Sequence, residues 1–312
     1  MRNELAIQTR DWVMLAALSV LWGGSFLFYR LLAFQLPPFT TVFGRVSLGA
    51  VTLAALVMAG GAKPWPPRAR WGSLALLGLL NNVVPFSLFA WGESRVSGGT
   101  AAILNAMTPI FTVLVTGLVL RSEPLTGARI AGIGCGFAGV AVLVGPQALL
   151  GQDLLGQAAC LAAALAYGFA VPYARTIKGL PPSQMAFGQL VGATAILLLP
   201  MLVVDRPWRV PAPTAAGWGA LLGLAVLSTG VAYLLFFRLL ARIGATNLVL
   251  VTFLVPISAL LLEAVVQGEA ITTQALAGMA LIAAGLACID GRLFGRSRRS
   301  RPKRSLHPAA EE

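Results

Sequence analysis

Charge is scarce in this sequence. Only 11% of its 312 residues are Asp, Glu, Lys or Arg, against about 25% in an ordinary soluble domain. So few charges cannot cover the water-facing surface of a globule this size, which argues against a soluble enzyme, a nucleic-acid-binding module or a disordered protein. Histidine is almost absent. The single one, His307, lies near the C-terminal end, so histidine-based catalysis or metal ligation inside an apolar core is not expected. The three cysteines, Cys135, Cys160 and Cys288, each fall within an apolar run, with no Cys-x-x-Cys spacing. Small apolar packing residues are expected there rather than a disulfide framework or a zinc site. No Gly-x-x-x-x-Gly-Lys-Ser/Thr phosphate loop occurs. No cluster of His, Asp and Glu of the kind an intramembrane lipid-headgroup transferase needs is visible. The chain therefore reads as a non-enzyme without metal or cofactor.

Apolar residues fill the sequence, at 57% of the chain. They recur in runs near the 20 or so residues that cross a bilayer as a helix. These runs fall near 11–32, 37–59, 71–93, 98–119, 126–145, 154–175, 182–204, 214–237, 244–266 and 272–291. The alternation of a lipid-exposed barrel strand is missing, and helices satisfy their own backbone in lipid. The expectation is an all-α membrane protein of ten transmembrane helices. The first run reads as a retained span, because no small-residue cleavage site follows it.

The formal charge of +12 is distributed as an orientation signal rather than a nucleic-acid footprint. With the N-terminus in the cytoplasm, 11 of the 23 Lys and Arg residues lie in cytoplasmic connections and 7 in the tail from Arg292 to Arg304. Four, Arg30, Arg95, Arg206 and Arg209, lie outside, and Arg45 lies within a span. Both termini are thus expected inside a cell inner membrane. The basic tail, 293–312, either fixes topology or also meets anionic headgroups.

The chain repeats itself. Phe86, Phe89, Val96, Pro109 and Ile110 meet Tyr233, Phe236, Ile243, Pro256 and Ile257 at an offset of 147. Glu123, Gly132 and Gly139 meet Glu269, Gly278 and Gly285 at 146, and Pro37-Pro38 meets Pro181-Pro182 at 144. Trp22-Gly23 meets Tyr167-Gly168 at 145. Two homologous halves, 1–147 and 148–292, each hold five spans, an odd number, so the second is expected to insert upside down. Inverted repeats are typical of carriers with a midplane site between the halves.

The motifs carry a resemblance. Leu21-Trp22-Gly23-Gly24-Ser25-Phe26, Arg45 early in span 2, Ala101-Ala102-Ile103-Leu104 through Pro109, Glu123-Pro124-Leu125 and the span-5 glycines resemble EamA-type members of the drug/metabolite transporter superfamily. Pro124 stands where the family pattern carries a basic residue. The resemblance covers residues 12 to 292 and implies secondary transport of amino acids, metabolites or drugs without ATP. Export of amino acids or related polar or amphipathic metabolites is the leading expectation; drug export and uptake are the alternatives.

Candidate site residues follow from polarity at depth. Arg45 lies about 10 Å below the outer end of span 2, and Glu263 about 5 Å below that of span 9, at 1.5 Å per residue. Buried charges are costly in lipid and mark function. Arg45 is the candidate for an anionic substrate group or an outer gate, and Glu263 for gating or proton coupling, or as an interfacial carboxylate. The two lie at depths that allow pairing. Asn81 and Asn82 match Ser228 and Thr229, and Asn105 matches Thr252. These either line a central cavity or bond helix to helix. Trp22, Phe86, Tyr167 and Tyr233 either wall a substrate pocket or pack ordinarily. Pro109 and Pro256 are candidate hinges. The span-5 and span-10 glycines permit close helix packing, or a weak homodimer in place of a monomer. The expected partners are a small-molecule substrate, the lipid bilayer and, if Glu263 titrates, a proton; no nucleic acid is expected.

Overall fold

Proline and glycine punctuation sets where the helices start and stop. A computed structural model describes residues 8–120, 127–149, 153–248, 251–268 and 272–290. The tail, His307, Glu123 and Glu269, and the side chains of Thr252 and Glu263, lie outside the described residues. Helix α1 is Thr9–Leu32 and α2 is Pro38–Ala59. Pro38 at the first position of α2 is pre-set for a helix and needs no partner for a missing N–H. The same device, Pro182, opens the helix Pro182–Pro200.

Four of the helical rods are interrupted. α3 runs as Trp71–Gly78, a π-helical turn Leu79–Val83, and Val84–Gly92. α4 runs as Gly98–Asn105 and Thr108–Leu114, with a π turn at Val115–Val119. α5 is Gly127–Leu149, and α6 is Leu154–Thr176. α7 joins Pro182–Pro200 to a π turn Met201–Asp205. α8 joins Ala215–Leu222, a π segment Gly223–Val231, and Ala232–Leu248. α9 is Val251–Gln267 and α10 is Thr273–Asp290. Among the described residues there is no strand.

Seven of these rods contain a stretch long and apolar enough to cross a membrane, namely α1, α2, α3, α4, α6, α7 and α8. Shorter apolar helices, Ile130–Gly139, Leu254–Val266 and Thr273–Gly285, lie within α5, α9 and α10. Large apolar side chains face outward, Val51 at 67% and Val265 at 83% exposure among them. Such a surface suits lipid rather than water.

One expected connection is helical, although the apolar stretch before it, Ala215–Phe236, agrees with the expected span 214–237. Residues 238–243 were expected to connect spans 8 and 9, yet they lie inside the continuous helix Ala232–Leu248. In the first half the matching chain stops because Ser97 caps α4, its hydroxyl accepting the Thr100 N–H at 3.1 Å. At an offset of 147, Gly244 stands where Ser97 does, and Ala245-Thr246 replaces Gly98-Gly99. Without the cap the helix runs on.

The packing is reciprocal between halves. α1 lies against α8 and α9, while α6, its counterpart, lies against α3 and α4. α2 meets α8, and α7 meets α3. α5 and α10 pack along each other, and added Cβ atoms would lie 2.8 Å from Gly278 O at Gly139 and 2.6 Å from Gly132 O at Gly285. Glycine is what permits that approach.

Polar ties close both ends of the bundle. At the end holding 33–37 and 206–214, the Asp205 carboxylate accepts from Thr40 N–H at 2.6 Å and Thr40 Oγ1 at 2.9 Å. There, too, Gln35 Oε1 accepts from Thr214 N–H at 3.0 Å and Thr214 Oγ1 at 2.8 Å. At the other end Arg70 donates to Lys178 O at 3.3 Å, and Gln184 to Lys63 O at 3.4 Å. There Asp11 of α1 pairs with Arg242 of α8 at 2.7 Å. The second helix of each half therefore runs opposite to its counterpart: α2 starts where α7 finishes.

Pro37, the cap position of α2, has no side-chain acceptor, so Asp205 caps that helix from the other half. Asp205→Ala is expected to cost about 1 kcal/mol, read as a small fall in melting temperature in detergent. An unchanged melting temperature would show that the cap contributes nothing.

Candidate functional site

Arg45 sits two turns into α2, where the Pro37-Pro38 start of the helix places it. It is buried, at 5% exposure. Its Nε donates to Thr229 Oγ1 at 3.1 Å and its Nη1 to Tyr29 Oη at 2.9 Å. The guanidinium carbon lies 3.8 Å from the Phe86 ring centre and 5.2 Å from that of Tyr29. These contacts hold the planar group in one orientation by hydrogen bonds and cation–π attraction. They commit two of its five N–H donors. Among the described residues no carboxylate pairs with it. The charge also acts on Tyr167 and Tyr233.

The π segments explain how α8 and α3 present polar groups here. Thr229 Oγ1 donates to Leu224 O, five residues back, at 2.9 Å, leaving its lone pairs for Arg45. In α3 the π turn precedes Pro85, which has no N–H to give and would crowd the carbonyl four residues earlier. At an offset of 147 the turn Leu79–Val83 falls within Gly223–Val231, so both halves unwind at the same depth. Such bulges commonly mark functional positions.

The expected residues separate into those gathered around Arg45 and those bonded elsewhere. Phe86 and Thr229 touch Arg45, and Tyr233 lies within reach of its charge. Trp22 packs on Phe236 at 5.7 Å, and Tyr167 on Phe89 at 6.4 Å; Phe89 meets Phe26 edge-on at 5.6 Å. Asn81 donates to Gln189 Oε1 at 3.0 Å, tying α3 to α7. Ser228 donates to Leu21 O at 2.6 Å, tying α8 to α1. For these two the helix-to-helix alternative describes what is seen. Asn105 accepts from Thr108 Oγ1 at 3.3 Å, within its own strand of chain.

Asn82 is different. It is fully buried, and among the described residues neither its amide nitrogen nor its carbonyl oxygen has a hydrogen-bond partner. Ser25 Oγ is likewise buried without a partner among the described residues. Pro109 follows a break in α4 at 106–107, whereas Pro256 lies inside the unbroken helix Val251–Gln267. Thr252 and Glu263 lie outside the described side chains; the described partners of Arg45 are Thr229 and Tyr29.

Tyr29 and Glu93 escaped the sequence reading. Tyr29 lies seven residues after Trp22, on the same face of α1, a spacing that would have revealed it. Glu93 fell at the boundary of span 3, yet it is wholly buried, close to Tyr29 and Cys160. Arg30 donates to its backbone carbonyl at 2.9 Å. Among the described residues no group of three His, Cys, Asp or Glu can hold a metal.

An outward apolar belt, reciprocal helix packing and, among the described residues, one buried cation between the halves define a multi-pass membrane protein with an enclosed polar site. The model of the EamA-like transporter family matches residues 11–145 and again 154–289, and the chain belongs to that family. It is 31% identical over 260 residues to a probable terminal-alkyne amino-acid exporter of Streptantibioticus cattleyicolor, covering 81% of this chain and 86% of that one. It is 25% identical over 283 residues to the uncharacterized transporter YoaV of Bacillus subtilis, covering 88% and 95%. Protein PecM of Dickeya dadantii is 28% identical over 247 residues, covering 77% and 81%. A solved crystal structure has the same fold, with a TM-score of 0.66 at 21% identity over 92% of this chain and 99% of that one. General small-molecule transport across a membrane is the function these similarities support.

Proposed function

We propose that the chain is a secondary carrier of small polar or amphipathic metabolites, amino acids or their relatives, which it exports across the inner membrane. Ten spans form two inverted five-helix repeats, 1–147 and 148–292, followed by the basic tail, with both termini cytoplasmic. The 33–37 end is then outer and the 60–67 end cytoplasmic. The halves rock about a midplane site, exposing it to one side at a time. The observation that carries this reading is Arg45: a desolvated guanidinium fixed between one residue from each half, Tyr29 and Thr229, with donors to spare. Among the described residues no carboxylate pairs with this buried charge; burying an unpaired charge costs several kcal/mol, and a substrate anion offsets that cost when it binds. Amino-acid export draws support from the exporter relative at 31% identity.

The polar ties at the two ends join opposite halves, so opening either end requires breaking one set and keeping the other. The outer set rests on neutral donors to the Asp205 carboxylate at 2.6–2.9 Å, while the cytoplasmic set combines the Asp11–Arg242 ion pair at 2.7 Å with carbonyl contacts at 3.3–3.4 Å. The gates therefore differ in chemistry as well as in position.

Counterflow in proteoliposomes tests the reading. Labelled amino acid should accumulate transiently against unlabelled amino acid trapped inside, with saturation. Unsaturable flux at channel rates would sink the carrier reading. For coupling, Glu263→Gln is expected to flatten the pH dependence of flux. Full activity with an unchanged pH profile would leave Glu263 an interfacial carboxylate.

A further inference from the structure

The orphaned amide of Asn82 has a traceable origin. In the second half, Thr229 of the π segment bonds Arg45 of α2. The counterparts of these two residues under the repeat are Asn82 of the first half and Gln189 of the second. Gln189 is instead taken by Asn81, one residue earlier. The neighbouring amide then has nothing to bond among the described residues, although its exposure is 0%. Burying an unpaired amide is expensive, and an apolar side chain of similar volume would remove that cost.

Its position gives the group a use. Asn82, Phe86 and Phe89 are spaced four and three residues apart, on one face of α3. Phe86 on that face carries the Arg45 guanidinium, and Phe89 meets Tyr167 of α6. Asn82 thus lies one turn, about 5 Å, along the helix from the ring that supports the cation.

We propose that Asn82 and Arg45 form a two-point site for a substituted carboxylic acid. The carboxylate docks on the free N–H donors of Arg45, and an amino or hydroxy substituent bonds the Asn82 amide. The inference rests on the carrier reading above and narrows its substrate class to amino and hydroxy acids. Simple amines and unsubstituted acids each lose one of the two points.

The test uses purified full-length protein in nanodiscs and four probes sharing one ring: L-phenylalanine, L-phenyllactate, 3-phenylpropanoate and 2-phenylethylamine. Wild type is expected to bind phenylalanine or phenyllactate about tenfold more tightly than 3-phenylpropanoate, the worth of one hydrogen bond. It is expected not to bind the amine. In Asn82→Leu that preference should vanish, while 3-phenylpropanoate binds as in wild type and the ligand-free melting temperature is equal or higher. Asn82→Ala gives the same loss of preference with less demand on packing. Three results would overturn the assignment: a preference that survives both variants, a ligand-free melting temperature that falls sharply in both, or binding of none of the acids. Saturable counterflow of another solute would, in the last case, leave the carrier reading standing.

Discussion

Arg45→Ala is expected to abolish transport while leaving a folded, membrane-inserted protein. Removing this side chain takes away a charge that no carboxylate among the described residues neutralises, so the folded state loses little. The hydrogen bonds to Thr229 and Tyr29 disappear, but both partners are hydroxyls, and Thr229 keeps its bond to Leu224 O. A bound substrate loses its counter-charge in a desolvated box. Truncating one member of such a pair costs roughly 3 kcal/mol, or about a hundredfold in affinity. Arg45→Lys keeps the charge but loses the fork and the stacking on Phe86, and should bind weakly rather than not at all. Flux and size-exclusion profile, measured together, separate the outcomes. Normal flux in the Ala variant would remove Arg45 from the site, and aggregation would make it a structural residue.

Gly23→Leu is expected to have the largest effect on the fold. α1 and α9 pack closely at this point. A Cβ added at Gly23 would sit 2.5 Å from Ser258 Oγ and 2.9 Å from the backbone nitrogen of Ala259. The Ala259 backbone cannot move without moving α9. Ser258 Oγ, which donates to Ser19 O at 2.7 Å, would lose that tie. Overpacking typically costs about 1–3 kcal/mol for a few atoms, and leucine adds four carbons where not even one fits. A large fall in melting temperature should accompany loss of flux, because Trp22, the neighbouring residue, packs on Phe236 of α8, and a displaced α1 would disturb that contact too. Gly23→Ala should fall between. A Leu variant that melts like wild type would show that α1 and α9 are not held in this contact.

Much of this was legible in the sequence for physical reasons. Apolar runs of spanning length and proline starts placed α1, α2, α6 and α7 to within a few residues. Lipid leaves no other way to satisfy the backbone. Arg45 and its neighbour Phe86 were readable because a charge at depth is rare enough to stand out. The π turns were not readable: Leu79–Val83 reads as ordinary helix, and the extra residue in the turn arises from Pro85 and from packing against α6 and α7. Which asparagine would bond and which would be stranded was equally hidden. Asn81 and Asn82 are chemically identical, and only the rotation between them decides that Gln189 is reached by the first. Glu93 was missed because it ends a span, where a carboxylate is normally solvated. Its burial comes from tertiary packing.

Alternating access is tested most directly by measuring both ends of the bundle at once. Phe34 and Trp208 are exposed at one end, and Lys63 and Lys178 at the other. Spin-label pairs at 34/208 and at 63/178, in cysteine-free background in nanodiscs, report the two openings by electron–electron resonance. Addition of a transported amino acid should shift the two distance distributions in opposite senses, one end opening as the other closes. Distances that stay fixed, or that widen together at both ends, would contradict a carrier that rocks about Arg45.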